Sequence, residues 1–276
     1  MNTFAHRPTR VLIVTLLALV SVTTIYPLIF VFNAALKTDA AFALDRFSPA
    51  LTPTLDNLIL AAERMNFWQA ARNSLVAAIG GVLGAWVICL PLAFAATKLS
   101  FRGRDVLFLI VLGSMLIPIQ TILYPFYLVV RNLGLLNQQT GLIVSFVTFA
   151  IPITAFQLAA YMKNIPDELV EAARIDGATT LQILTMVILP LCRPVLAVTG
   201  IINFIWMWND ILLPVLIMKT PESQTLMIGA GLLRGQFGSS STLISAGLAL
   251  AVLPVVVIFL LAQRQIIQGM TAGAVK

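Results

Sequence analysis

The chain has 276 residues, of which 59% are hydrophobic and only 10% are charged. So few charged side chains could not cover the surface of a soluble domain of this size, and the composition therefore indicates a protein with several membrane spans. The net charge of +6 comes from basic residues scattered through short segments without a clustered patch, which argues against a nucleic-acid-binding surface.

Candidate catalytic and metal-binding residues are scarce. The lone histidine, His6, lies in the N-terminal tail, and the two cysteines, Cys89 and Cys192, have neither disulfide nor metal-ligand spacing. No G-x-x-x-x-G-K-[ST] phosphate-binding motif occurs, so if the function requires ATP, another chain must bind it. The sequence predicts no catalytic residue, no metal ion and no cofactor bound by this chain.

Six apolar segments are each long enough to cross a bilayer, which takes about 20 helical residues. The first follows Arg7 and Arg10 and is too long for the apolar region of a signal peptide, so we expect an uncleaved anchor. The predicted spans are residues 11–36, 73–97, 106–130, 141–162, 195–218 and 243–263. We expect an all-α fold with a single transmembrane domain over residues 1–276.

The distribution of basic residues predicts the orientation. If the N-terminus lies inside, ten of the 17 Lys and Arg residues fall on inner segments and seven on outer segments. Inner segments of membrane proteins carry the excess of Lys and Arg. Both termini and the segment 164–194 are therefore predicted to be cytoplasmic.

The outer segment 37–72 contains Asp56-Asn57-Leu58 followed by Asn66-Phe67-Trp68. This pattern predicts a short surface helix, with the two aromatic rings at the level of the lipid headgroups before the second span begins.

A polar stripe marks the third predicted span. Gln120, Tyr124 and Tyr127 recur at i, i+4 and i+7, which places them on one face of a helix. Pro118 and Pro125 bracket this stripe and would bend the helix, exposing carbonyl groups that are tolerated only beside a cavity or a protein neighbour. The stripe is a candidate lining of a solute pathway, and a subunit interface is the alternative.

The segment 164–194 carries several charges between two apolar spans, so it lies outside the hydrocarbon. Asn164 and Pro166 predict the start of a short helix, and Gly177 predicts its end. The apolar side of this helix is Leu169, Ala172, Ala173 and Ile175, and the charged side is Glu168, Glu171 and Arg174.

Four groups of residues in this segment resemble a known motif: Glu171-Ala172-Ala173, Asp176-Gly177-Ala178, Ile188-Leu189-Pro190 and Pro194. They are similar to the EAA loop of permease subunits from binding-protein-dependent ABC importers, in which the short helix is a coupling helix that docks on a separate ATPase subunit. The resemblance implies ATPase coupling through Glu168, Glu171, Ala172, Ala173, Arg174, Asp176 and Gly177. An interfacial amphipathic helix without a partner is the alternative.

The fifth predicted span carries a second polar face. Asn203, Trp206, Met207 and Asp210 share one side of a helix, and aromatic faces beside hydrogen-bonding groups suit a sugar. Asp210 is the only acidic residue inside a predicted span, where a carboxylate costs about 3 kcal/mol or more, so it should face a cavity, a partner subunit or a hydrogen-bond donor.

Sugar-type permeases carry a W-N-D/E…P pattern, and Trp208-Asn209-Asp210 with Pro214 is similar to it. The "DN…N-F-W…NS" residues of the outer segment are also similar to the sugar-permease branch, in which this region helps to receive the binding protein. The candidate solute pathway is therefore Asn203, Trp206, Met207, Asn209 and Asp210, with Gln120, Tyr124 and Tyr127. Bracing of the fold by Asn209 and Asp210 is the alternative.

The C-terminal residues 263–276 end in Gly-Ala-Val-Lys and are similar to the tail of maltose-type permeases, which reaches the ATPase dimer. The resemblance implies that Gly269, Gly273 and Lys276 contact the ATPase. A frayed cytosolic terminus is the alternative.

Over essentially the whole chain the sequence resembles permease subunits of maltose/glycerol-3-phosphate type ABC sugar importers. The resemblance implies the type I ABC importer permease fold and a multi-pass location in the bacterial inner membrane. The implied partners are a second, different permease subunit, two ATP-binding subunits that hold ATP and Mg, an extracytoplasmic solute-binding protein and membrane lipid. The alternative is an ion-coupled secondary transporter, for which Asp210 would be the coupling residue.

Overall fold

A computed structural model describes residues 7–236 and 240–272, and all regular secondary structure in these ranges is helical, which confirms the all-α prediction. The residues group into two compact units, Met1–Phe67 with Gly229–Pro254, and Trp68–Ile228 with Val255–Lys276. The assignment of the whole chain to one transmembrane domain stays a prediction.

The α-helices follow one another with short connections. In chain order they are α1 (Arg7–Ala35), α2 (Asp39–Leu44), α3 (Asp56–Arg64), α4 (Phe67–Lys98), α5 (Arg104–Gly113), α6 (Ile119–Asn132), α7 (Gln139–Met162), α8 (Glu168–Ile175), α9 (Thr180–Gln182), α10 (Leu189–Leu191), α11 (Arg193–Asn209), α12 (Leu212–Ile217), α13 (Leu226–Gln236) and α14 (Ser241–Ala272). The 3₁₀ turns Ser114–Leu116 and Pro221–Ser223 and a π-helical stretch, Ile183–Ile188, complete the helical structure of the described residues.

Within the described ranges, four helical segments are long and apolar enough to cross a membrane on their own: Arg10–Ala35, Phe67–Lys98, Gln139–Met162 and Ser241–Leu260. Two bent pairs meet the same criterion only when their halves are taken together, Arg104–Leu116 with Ile119–Asn132, and Thr180–Leu191 with Arg193–Asn209. If each bent pair is one span, the number is six, as expected from the sequence. The second pair runs from Thr180 to Asn209, however, and so begins before the predicted span 195–218.

In the first unit, a network of hydrogen bonds from polar side chains fixes the segment that follows α1. The Lys37 side chain is buried, and its Nζ donates hydrogen bonds to the Asp45 carbonyl oxygen across 2.7 Å and to Ser48 Oγ across 3.3 Å. Asn57 Nδ2 donates to the carbonyl oxygens of Ala35 and Lys37. Hydrogen bonds from the backbone amides of Phe47 and Ser48 hold the pKa of the exposed Asp45 carboxyl below its usual value.

The expected surface helix is present as α3, but the aromatic residues that follow it belong to a different element. Asn66 adopts a left-handed backbone conformation with φ 46°, and this turn separates α3 from α4. Phe67 and Trp68 are therefore the first residues of the long helix α4, where the Trp68 side chain is exposed.

In the second unit, helices α4, α7 and α11 supply most of an apolar cluster. Its buried members are Cys89, Leu90, Ala93, Phe94, Ala155, Leu158, Ala159, Met162, Ile165, Val170, Ile183, Ile188, Cys192 and Leu196. At the start of α4, polar side chains are buried by hydrogen bonds: Asn73 Nδ2 donates to the carbonyl oxygens of Glu222 and Gln224, and Ser74 Oγ accepts from the Leu226 amide. These polar residues therefore fix the segment before α13, because a buried polar group needs a partner.

The third predicted span is broken at Pro118. Proline disfavours helical geometry at the residue before it, and Ile117 has φ −88° and ψ 113°. The helical segments on the two sides meet at 106°. The bend expected from the sequence thus lies at Pro118, whereas Pro125 lies inside α6.

The fifth predicted span, 195–218, is corrected by a break at Asp210. A helix running through this point would drive the Pro214 ring against the carbonyl group of Asp210. Instead α11 ends at Asn209, Asp210 has φ −70° and ψ 133°, and residues 212–217 form the separate helix α12. Asp210 therefore lies at a helix break and not inside a continuous span.

Candidate functional site

The short charged helix α8 begins later than its sequence predicts. Asp167 occupies the N-cap position, and Asn164 Nδ2 donates to the Ala160 carbonyl oxygen across 3.1 Å. Because Asn164 lies in the turn that ends α7, it does not cap α8, and the expected start at Asn164 is wrong.

One side of α8 attaches the helix to the rest of the second unit. The Val170 side chain is buried in the apolar cluster, and Ala173 packs against the same cluster half-buried. The predicted apolar side is thus divided, because Ala173 faces the cluster whereas Leu169, Ala172 and Ile175 are exposed. Ile175 has 86% of its surface exposed. The other exposed residues are Glu168, Glu171, Arg174, Asp176 and Gly177.

Gly177 ends α8 as its sequence position predicts. Its φ is +80°, a left-handed conformation that a residue with a Cβ atom rarely adopts. The Gly177 amide donates to the Arg174 carbonyl oxygen, and the Ala178 amide donates to the Ala173 carbonyl oxygen. These two bonds form a Schellman motif, which reverses the chain at the end of the helix.

A capping box restarts the helix directly afterwards. Thr179 Oγ1 accepts from the Gln182 amide, and Gln182 Oε1 accepts from the Thr179 amide. The π-helical stretch Ile183–Ile188 follows and buries Ile183 and Ile188 in the cluster that also holds Val170. The candidate coupling segment thus consists of the exposed helix α8 and a following stretch, Ile183–Ile188, that is packed into the cluster.

A cavity of about 530 Å³ lies where the two helix breaks face α7. Polar groups in its wall come from Ser114, Gln120, Thr148 and Asp210, and Asp210 carries the only charge among the lining residues. The complete lining is Ser114, Met115, Ile117, Ile119, Gln120, Ile122, Thr148, Phe149, Pro152, Ile153, Trp206, Asp210 and Leu212. An apolar wall with a few polar groups is the usual make-up of a small-molecule site.

The structure brings three of the predicted pathway residues together in this cavity: Gln120, Trp206 and Asp210. Tyr124 is exposed and Tyr127 half-buried, and neither lines the cavity. The i, i+4, i+7 stripe of α6 thus contributes one side chain to the wall.

The remaining predicted pathway residues lie on other sides of α11. Asn203 is buried and donates to Thr154 Oγ1 across 2.9 Å, and Met207 is buried as well. Asn209 is exposed and donates to the Ile205 carbonyl oxygen of its own helix across 2.7 Å. The shared helix face predicted from spacing is divided between the cavity and the interior.

Asp210 has a structural role in addition to its place in the cavity wall. Its Oδ2 accepts a hydrogen bond from the Leu213 amide across 3.0 Å, which satisfies a backbone donor in the first turn of α12, whose N-cap residue is Ile211. The cavity residues Phe149 and Ile153 were not identified from the sequence. Their apolar side chains resemble the rest of an apolar span, and only their helical spacing from Thr148 and Pro152 could have indicated them.

The predicted ATPase contacts of the C-terminal tail lie only partly within the described residues. Gly269 lies in the backbone of α14, and Gly273 and Lys276 lie outside the described residues. Within the described part of the chain, no group of three His, Cys, Asp or Glu side chains could hold a metal ion.

Comparison with protein families matches residues 87–272 to the family described as "Binding-protein-dependent transport system inner membrane component". The chain is 32% identical over 252 residues to the trehalose transport system permease protein of Mycobacterium tuberculosis, covering 91% of this chain and 92% of that protein. It is 29% identical over 275 residues to the sulfoquinovosyl glycerol transport system permease protein of Agrobacterium fabrum, covering 99% and 95%.

A solved structure is similar over nearly the whole fold. It is a chain from a bacterial ABC transporter involved in the import of the acidic polysaccharide alginate, with a TM-score of 0.80 and 26% sequence identity. The match covers 95% of this chain and 99% of that chain.

Proposed function

Because the chain belongs to the family of inner membrane components of binding-protein-dependent transport systems, we propose that it is the permease subunit of an ATP-driven importer of a carbohydrate. The resemblance of the sequence to permease subunits of ABC sugar importers is confirmed, and so is the importer-permease fold that it implied. The protein is a multi-pass protein of the inner membrane.

The cavity supports a carbohydrate as the solute. Trp206 and Phe149 offer aromatic faces for the C–H faces of a sugar, and Gln120, Thr148 and Asp210 offer hydrogen-bonding groups for its hydroxyls. A negatively charged solute would be repelled by Asp210, and none of the lining residues is basic. We therefore propose an uncharged sugar, with the opposite wall supplied by a second, different permease subunit.

The exposed face of α8 supports the proposal that ATP drives transport, because it offers a surface on which an ATPase subunit can dock. Leu169, Ala172 and Ile175 are exposed at i, i+3 and i+6 of α8, and this apolar strip beside Glu171 and Arg174 supports a protein partner at this surface. The buried Val170 and the half-buried Ala173 pack α8 against an apolar cluster that also holds residues of α4 and α7. The proposed partner is one of two ATPase subunits that bind ATP and Mg.

The proposed assembly also includes a solute-binding protein on the outer face, in keeping with the family description. Both termini and α8 would lie on the cytoplasmic side, as the distribution of basic residues predicts. Gly269, Gly273 and Lys276 remain proposed ATPase contacts.

The experiment that tests this function is purification of the tagged subunit from its native membrane, with mass spectrometry of the proteins that accompany it. The complex is then placed in liposomes and tested for uptake of a panel of uncharged di- and oligosaccharides headed by trehalose. We expect an ATPase and a second permease to co-purify and uptake to require ATP. A subunit that purifies alone and takes up sugar on an ion gradient without ATP would overturn the proposal in favour of a secondary transporter.

A further inference from the structure

A buried lysine joins the end of α4 to the beginning of α8. Lys98 is the last residue of α4, and only 3% of its side chain is exposed. Its Nζ lies 2.5 Å from Asp167 Oδ1 and donates to the Ile165 carbonyl oxygen, also across 2.5 Å. Asp167 is the N-cap residue of α8, and Ile165 lies in the turn between α7 and α8. One ammonium group therefore connects three elements of the second unit.

The two attachments of α8 differ in kind. Val170 holds the helix through apolar contact, which is non-directional and allows a helix to rotate or slide. The Lys98–Asp167 bond is charge-assisted and fixes a distance and a direction at the helix N-terminus. Without it, the side chains that hold α8 would be Val170 and Ala173, whose apolar contacts fix no direction.

We propose that the Lys98–Asp167 ion pair, called here the strut, makes α8 and α4 move as one rigid body. Motion imposed on α8 then reaches the long apolar helix α4. This inference rests on the proposed function, because it assigns the strut to coupling between the ATPase and the pore. Lys98 and Asp167 are positioning residues, since they act through α8 and need touch neither solute nor nucleotide.

The chain offers a matched control. Arg104 and Asp105, the first two residues of α5, also form an ion pair, with Nε 3.0 Å from Oδ1. Their side chains are 35% and 86% exposed, and because they are neighbours in sequence their pair connects no separate elements. Arg104 Nη1 also donates to the Leu99 carbonyl oxygen, so the control changes Asp105 and leaves this bond in place. Loss of an exposed pair of this kind has little effect on a protein.

The two sides of the strut also differ in what their removal leaves behind. The Asp167 side chain is 73% exposed, so Lys98→Met leaves a carboxylate that water can solvate. Asp167→Asn leaves the buried ammonium group without a countercharge, but the asparagine oxygen and the Ile165 carbonyl oxygen still accept from it. The two variants therefore perturb the fold in different ways, and either one tests the strut if the other weakens assembly.

The test measures sugar imported per ATP hydrolysed, using the purified complex in liposomes and the sugar of the panel that is taken up best. We expect Lys98→Met and Asp167→Asn to keep the ATPase bound and to lower the ratio about 2- to 30-fold, the range that residues of a coupling network produce. Asp105→Asn should leave the ratio unchanged, and Lys98→Arg should retain most of it because it keeps the charge and the donors.

Each outcome bears on a different claim. A wild-type subunit without an ATPase partner would refute the proposed function itself. An assembled Lys98→Met or Asp167→Asn complex with the wild-type ratio would overturn the strut. If Lys98→Met does not assemble, Asp167→Asn decides: a lowered ratio supports the strut, and an unchanged ratio shows that Lys98 serves the fold alone.

Discussion

Asn203 on α11 donates a hydrogen bond to Thr154 on α7 across 2.9 Å, and both side chains are buried. A polar residue at helical spacing from Asp210 is thus turned towards a neighbouring span and away from the cavity. Polar contacts of this kind hold helices together in membranes, where water cannot satisfy the groups.

The Asn203–Thr154 bond should be measurable by a double-mutant cycle with Asn203→Leu and Thr154→Val. We expect a coupling free energy of about 0.6 kcal/mol, with roughly 1.7 kcal/mol as an upper bound for such bonds in membranes. Thermal unfolding of the four detergent-solubilised proteins measures it.

The control for that cycle is Asn209→Leu combined with Thr154→Val. The Asn209 side chain donates to the Ile205 carbonyl oxygen of its own helix, so its substitution should not be coupled to that of Thr154. Equal coupling energies in the two cycles would contradict the assignment of Asn203 to a bond between spans.

Gly177 should be sensitive to a substitution that another glycine accepts. An added Cβ meets no atom within 4 Å at Gly177 or at Gly113, so space does not distinguish them. Gly177 has φ +80°, whereas Gly113 has φ −59° in helical geometry. We expect Gly177→Ala to destabilise by about 1–2 kcal/mol and Gly113→Ala to stabilise by about 0.5–1 kcal/mol.

Opposite shifts of the thermal midpoint in these two proteins would support the left-handed turn after α8. Gly177→Asn adds a third test, because asparagine tolerates the left-handed conformation better than alanine. A Gly177→Ala protein as stable as the wild type would show that the turn adapts to a Cβ atom.

The sequence is informative wherever a local rule decides the structure. Gly177 ends α8 through its φ angle, and Pro118 bends a span through its effect on Ile117, so both are predictable from residue type. The apolar runs likewise predict the long helices, because a span must bury its backbone polar groups in its own hydrogen bonds.

Features that depend on neighbouring elements could not be derived in this way. Spacing places Asn203, Trp206 and Asp210 on one side of a continuous helix, but Pro214 ends that helix and α7 divides the face between interior and cavity. Similarly, nothing local to Lys98 indicates that its side chain reaches Asp167, 69 residues later in the chain.

The exposed Ile175 should be required for binding of the ATPase but not for folding. Ile175→Asp adds a charge to a side chain that is already 86% exposed, so the stability of the isolated subunit should change by less than about 0.5 kcal/mol. At an interface the buried charge would lack a partner, which costs several-fold to a hundredfold in affinity or more. Recovery of the ATPase on the tagged subunit measures the effect.

Leu51→Asp is the matched control, because Leu51 is 91% exposed and lies in the predicted outer segment. It should leave ATPase recovery unchanged. Loss of the ATPase with Leu51→Asp, or full recovery with Ile175→Asp, would remove Ile175 from the proposed interface.

Two substitutions of Asp210 distinguish the proposed importer from an ion-coupled secondary transporter. Asn offers an acceptor oxygen in place of that of Asp, so Asp210→Asn should keep the bond to the Leu213 amide and the uptake of an uncharged sugar within about twofold of wild type. Asp210→Ala loses this hydrogen bond and should lower stability by about 1 kcal/mol. A proton-coupled transporter that uses Asp210 requires the carboxylate itself, because only an ionisable group carries the coupling proton. Uptake assays of both variants with and without ATP measure the role of this residue. Loss of uptake in a stable Asp210→Asn protein would show that transport needs the negative charge, and would contradict a role of Asp210 limited to hydrogen bonding in the cavity wall.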